Sequence, residues 1–241
     1  MIVNTDKKGW EVIYQQAHAL LAAQLASHWR ADQRPARWVD TLIAIVEHDD
    51  GQADWQRATY LNDAGAPQDF TFQTFTLTQL KRVTELTQYK GRWVALLVSM
   101  HMTTLYEARR GSNQETDEFL DRQLENQQKW RKELKVNQKA AQQAYALMEF
   151  CDWFSLILCR RELPMGGRAV EIAKGPDGRR YEVSQRADQT LKVEPWPFEE
   201  TEFTVVVEAT YLRQLRFEND QELLRILRES PIQEKVWRLV K

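Results

Sequence analysis

Leu42-Ile43-Ala44-Ile45-Val46-Glu47-His48-Asp49-Asp50-Gly51 is an apolar run that ends on a histidine, two aspartates and a glycine. Trp38, Leu42, Ile45 and Asp49 recur at three- and four-residue steps, with Val39, Ile43 and Val46 beside them. That spacing predicts a helix with one packed face. Gly51 supplies its stop signal. The stretch therefore sets an imidazole and a carboxylate at the end of a buried helix.

Upstream, Ala17, Leu20, Leu21, Leu25 and His28 give a second helical pattern from Gln15 onward. Before it, Ile2-Val3 and Trp10–Tyr14 flank a polar Asp6-Lys7-Lys8-Gly9 turn and read as a hairpin. Downstream, residues 51–77 hold no lasting period, and a loop of that length in a compact domain is usually functional or mobile. Helices return over about 78–90, 92–110, 114–135 and 138–162. The third of these is highly polar and reads as a solvated face. After Pro164-Met165-Gly166-Gly167 the pattern changes again: 168–174 and 179–185 are strand-like around the Gly175-Pro176-Asp177-Gly178 turn. Phe203–Val207 continues the β character, a short helix starts near Asn219, and Val236–Val240 reads as a last strand. The expected fold is mainly α: an N-terminal hairpin (1–14), a helical domain (15–165) and a small β-rich module (166–241), which the hairpin can complete.

Composition narrows the function classes. With 241 residues, 43% hydrophobic and nine tryptophans, the chain can bury a large core. Lys+Arg 33 against Asp+Glu 35 leaves a formal charge of -2, without the basic excess that duplex nucleic acid requires. No stretch reaches the length of a membrane span, and the first residues lack the pattern of a signal peptide. Cys151 and Cys159 lie on one helix, about 12 Å apart along its axis, too far for a disulfide. The expected compartment is the cytoplasm. Oligomeric state is not encoded in any pattern visible here.

Chemistry concentrates in a few residues. Of the four histidines, His18, His48 and His101 lie in or at the end of apolar helices, whereas His28 falls off the face of His18 and reads as structural. Asp152 sits inside Ala146-Leu147-Met148-Glu149-Phe150-Cys151-Asp152-Trp153-Phe154, where a carboxylate is costly unless paired or bound to a cation. Each residue alone has a plainer reading: a hydrogen-bonded core histidine, a turn aspartate, a carboxylate that accepts from His101. Taken together, imidazole nitrogens with carboxylate oxygens form a ligand set suited to a divalent Mn, Fe, Co, Ni or Zn ion. Arg109-Arg110 and Arg160-Arg161 end their helices, where cations favour the dipole, and either pair can also meet a phosphate.

In the order His18, His48-Asp49, Asp152, the sequence resembles the HD (His-Asp) superfamily of metal-dependent phosphohydrolases over about residues 15–162. The whole chain is also similar to a bacterial family of unknown function through QxxHxxL (15–21), HDDG (48–51), LLVSMH (96–101) and CDWFSL (151–156). The first resemblance implies a helical fold whose metal ligands are His18, His48, Asp49 and Asp152. It implies a catalytic part for His101, against substrate, and for Asp54 as general acid or base. The implied substrate is a small phosphate ester, a nucleotide being one candidate. Two other readings stay open: an iron-dependent oxygenase and a non-catalytic helical binding or regulatory module.

Overall fold

A computed structural model of the chain describes residues 1–49, 59–72 and 76–241. Its strands are β1 (Ile2–Asp6), β2 (Gly9–Ile13), β3 (Ala169–Lys174), β4 (Arg180–Gln185), β5 (Leu191–Glu194), β6 (Glu202–Leu212) and β7 (Ile232–Val240). Its helices are α1 (Gln15–Ser27), α2 (Trp38–Glu47), α3 (Leu77–Gln88), α4 (Arg92–Tyr106), α5 (Gln114–Leu134), α6 (Gln138–Cys159) and α7 (Asp220–Glu229). Asn113, Asn137 and Asn219 cap α5, α6 and α7, each side chain accepting from a backbone N–H of the first turn. Among the described residues, no helix is long and apolar enough to cross a membrane.

The seven strands form one curled sheet in the order β1-β2-β6-β7-β5-β4-β3. This overturns the expectation of a mainly α fold, for about 49% of the described residues are helical and 22% are in strands. The reason is physical. β6 runs five residues past Val207, through Glu208-Ala209-Thr210-Tyr211-Leu212, where Ala209 and Thr210 are both buried and the period of two is lost. β7 carries charges on both faces, which blurs its period of two. β5 has four residues and no apolar run of its own.

The N-terminal hairpin joins this sheet through Trp10↔Leu212, Glu11↔Tyr211 and Val12↔Thr210. Gly9 is required at the junction: a Cβ there would lie 1.9 Å from the Leu212 carbonyl oxygen. Beyond Thr210 the pairing passes from strand to side chain. Gln24 of α1 donates to the Val206 carbonyl (2.9 Å) and accepts from its N–H (3.0 Å), standing in for β2 on the β6 edge. Helix α1 contacts β6, and α6 contacts β3. One apolar cluster runs unbroken from Ile2 and Ile13 through Leu21, Leu25, Phe150 and Phe154 to Tyr181, Val205 and Leu239. Helices α2 and α4 pack on the outer side of α1 and α6, with α3 and α5 against α4.

A buried carboxylate fixes the hairpin to the helices. Glu11 is fully buried. Arg161, just past α6, grips both its oxygens (3.2 and 2.6 Å), Lys235 of β7 donates at 2.7 Å, Tyr211 of β6 at 2.7 Å and Asn4 of β1 at 3.0 Å. Burial alone would raise the carboxyl's pKa, but the donors from Arg161, Lys235 and Tyr211 outweigh it and hold the group down to about 2. Its stabilising contribution is therefore present above the ordinary glutamate range and is lost as pH falls toward about 2. Glu11→Gln is expected to cost about 3–5 kcal/mol at neutral pH. Urea unfolding of both proteins at falling pH should show the gap between them closing below the ordinary glutamate pKa.

Candidate metal centre

Four helices bring the site together. The starts of α2, α4 and α6 border one groove, at Arg37, Trp93 and Asn137. Their ends border another, at His48, Tyr106 and Arg160. The three helices thus run the same way, and the C-terminal end of α2, carrying partial negative charge, lies at the site, where a cation is favoured. His48 caps α2, Asp49 follows it, His101 projects from α4 and Asp152 from α6, while α1 supplies His18. The structure therefore gathers His18, His48, Asp49, His101 and Asp152. Two overlapping triads, His18-His48-Asp49 and His48-His101-Asp152, each have ligand atoms within 4.8 Å of one another. Asp54 lies outside the described residues.

The three imidazoles and Asp152 are buried, and Asp49, with 23% of its side chain accessible, stands at the mouth. His18 Nε2 lies 2.7 Å from Asp49 Oδ2, and His48 Nε2 lies 3.2 Å from Asp152 Oδ1. His18 and His48 meet edge to face with centroids 5.2 Å apart, as do His48 and His101 at 5.0 Å.

The far nitrogens decide what those contacts mean. Ser155 Oγ spends its proton on the Asp152 carbonyl (2.8 Å), so at 2.9 Å it can only accept from His18 Nδ1–H. His48 Nδ1 lies 2.6 Å from the Ile45 carbonyl, which also can only accept. Both rings thus carry their proton on Nδ1 and aim the Nε2 lone pair at a carboxylate. A lone pair facing a carboxylate oxygen at such distances repels unless positive charge lies between them. Two charges can serve: a second proton on the ring, or a metal cation. Fixing Nδ1–H with an outer acceptor is how metal-binding histidines are oriented.

The electrostatics follow the same balance. Burial would lower the pKa of His48, but Asp49 and Asp152 outweigh it and raise it to about 10. Burial would raise both aspartates, yet His48 and its neighbours hold Asp49 and Asp152 below the usual carboxylate range. His101 differs. Burial dominates there, opposed by Asp152 and reinforced by His48, and its pKa falls to about 4. Its Nδ1 is buried and has no hydrogen-bond partner among the described residues. A bare lone pair is less costly to bury there than a stranded N–H. His101 accordingly favours the Nε2–H form, with Nε2 3.8 Å from Asp152 Oδ2. It is a donor toward the centre, where His18 and His48 present lone pairs.

Two participants escape the sequence reading. Ser155 orients His18, and Gln15, nearly fully buried, donates from Nε2 to Asp49 Oδ2 at 3.2 Å. Their signal is spacing: Gln15 is one helical turn before His18, and Ser155 one turn after Asp152. The centre opens into a cleft of about 380 Å³ whose walls include Tyr106, Arg109, Trp153 and Arg160. The groove at the opposite helix ends, about 520 Å³, holds none of the site residues.

Residues 1–214 match the family described as Protein of unknown function (DUF3891), and the chain belongs to that family. No curated protein and no solved structure matches the chain. The resemblance to the HD superfamily is thereby corrected: the family match is to DUF3891, and a seven-stranded sheet replaces the helical fold that resemblance implied. The shared order of histidines and aspartates is too short a pattern to carry a superfamily. The chemistry has to come from the site's own geometry.

In metal-free protein, ¹⁵N imidazole spectra should show His48 charged until pH approaches about 10 and His101 neutral until pH falls to about 4. The stability that His48 contributes is full below the ordinary histidine range and lost as pH rises through about 10. A His48 signal that titrates near the ordinary histidine value would contradict the geometry.

Proposed function

We propose that the protein binds one divalent transition metal through His18, His48, Asp49 and Asp152 and hydrolyses a small anionic substrate, a phosphate ester, beside it. The observation that carries this reading is the pair of imidazoles whose Nδ1 atoms face the outer acceptors Ser155 and Ile45 while both Nε2 atoms face carboxylates, at 2.7 and 3.2 Å. The nitrogen and oxygen donor set suits Mn, Fe, Co, Ni or Zn. A bound ion of this kind supplies Lewis acidity and lowers the pKa of water to near neutrality.

The chain's own residues do the rest. Ser155 and the Ile45 carbonyl hold the two ligand rings in register. Gln15 holds the Asp49 carboxylate at the mouth of the site. His101, neutral and with Nε2–H facing the centre, donates a hydrogen bond to an oxygen of the substrate as charge develops on it. Burial of the imidazoles and Asp152 lowers the local dielectric and strengthens that donation. Arg109 and Arg160 line the outer part of the same cleft, past the end of α4 and at the end of α6.

Purified protein should retain about one equivalent of divalent metal, and His48→Ala should lose it. Ser155→Ala should weaken metal affinity by about 10–100-fold, as outer-sphere substitutions do. His101→Gln should keep the metal and lose roughly 100–1000-fold in turnover, the range for removing one transition-state donor. Elemental analysis and a screen of 4-nitrophenyl phosphate and bis(4-nitrophenyl) phosphate with each of the five metals check this. Protein that stays metal-free, with unchanged stability in chelator, would sink the metal centre. Loaded protein that hydrolyses neither ester would leave a metal-binding module and defeat the hydrolytic reading.

A further inference from the structure

The cleft is graded along two helices that run in the same direction. On α4 the order is His101, Leu105, Arg109; on α6 it is Asp152, Leu156, Arg160, and all six residues line one cavity. Both series step by four, so Leu105 and Leu156 stand one helical turn beyond His101 and Asp152 on the same face, Arg160 a further turn along α6, and Arg109 in the 3-10 turn (Glu107–Arg109) that follows α4. The first pair belongs to the metal centre, the second is apolar, and the third is cationic. Leu105 is 45% exposed, unusual for a leucine beside a polar centre, and the neighbouring Trp153 is 42% exposed. Arg109 lies in the short turn that continues α4 and Arg160 caps α6, where it pairs with Glu162 at 3.0 Å. From centre to rim the Cα rise along α6 is about 12 Å, roughly two helical turns.

We infer that this cleft takes an amphiphilic anion: a reacting group at the metal centre, an apolar segment against Leu105 and Leu156, and a terminal carboxylate or phosphate at Arg109 and Arg160. The inference rests on the proposed metal centre and adds what the substrate must look like beyond the bond that breaks. The arginines stand too far along their helices to serve the reacting group itself. They read instead a second anionic group, separated from the first by about two helical turns, with the leucine pair between them. Arginine suits that task because its planar fork matches carboxylate and phosphate geometry.

Hydroxamates, which bind metals at one end, measure the grading directly. Three probes are compared by calorimetry on metal-loaded protein: the monohydroxamate of octanedioic acid, octanohydroxamate, which has no terminal carboxylate, and the monohydroxamate of butanedioic acid, which is too short to reach the rim. The octanedioic probe should bind at least about tenfold more tightly than octanohydroxamate, the value of a charge-assisted contact. The double variant Arg109→Gln, Arg160→Gln should abolish that preference while leaving octanohydroxamate affinity and metal content unchanged. Replacing the terminal carboxylate by a phosphonate then distinguishes the two anion sources, and a preference for either supports the grading. Equal binding of all three probes, or a preference that survives the double variant, would overturn the inference alone. Wild-type protein that takes up no metal would overturn it together with the metal centre.

Discussion

Two imidazole Nε2 atoms pressed toward two carboxylates, Asp152 buried and Asp49 at the mouth, are the constraint around which this molecule is organised. The arrangement is stable only with positive charge between the partners, whether carried by protons or by a metal ion. Everything that holds the rings in place reinforces it. The Ile45 carbonyl and the Ser155 hydroxyl take the outer protons, and the C-terminus of α2 directs partial negative charge at the centre. His101 shares the cluster and not the constraint, since its outer nitrogen is unpartnered among the described residues. That difference separates ligands from a donor within a single group of three histidines.

The sheet explains how so much charge can be held still. Its order brings the first strands and the last together, so α1 and α6, which carry His18 and Asp152, are seated on a surface built from both ends of the chain. Glu11 joins β1, β6, β7 and the end of α6 through one buried carboxylate. Gln24 ties α1 to the open edge of β6 a few residues beyond His18. A shift of either helix would have to break one of these polar contacts inside the core, where unpaired groups are expensive.

How much of this was legible in the sequence depended on the range of the interaction. Helix periodicity placed α1, α2, α4, α5 and α6 within a few residues, because their apolar faces recur locally. The cluster of His18, His48, Asp49, His101 and Asp152 was legible because charge and imidazole stand out inside apolar runs. Ser155 and Gln15 were not, since a hydroxyl or an amide near a helix end is ordinary until its partner is known. The sheet was the largest miss. Its central pairings join residues about 200 positions apart, such as Trp10 with Leu212, and β7 alternates charge with apolar side chains too loosely to show a face. The short order of histidines and aspartates pointed to a superfamily that neither the family match nor the architecture supports.

X-ray absorption at the metal edge of the purified, loaded protein tests the central claim most directly. The account predicts a nitrogen and oxygen shell near 2.0–2.2 Å with the outer scattering of two imidazoles, one of which disappears in His18→Ala. A shell of oxygen alone, or one unchanged by that substitution, would contradict it.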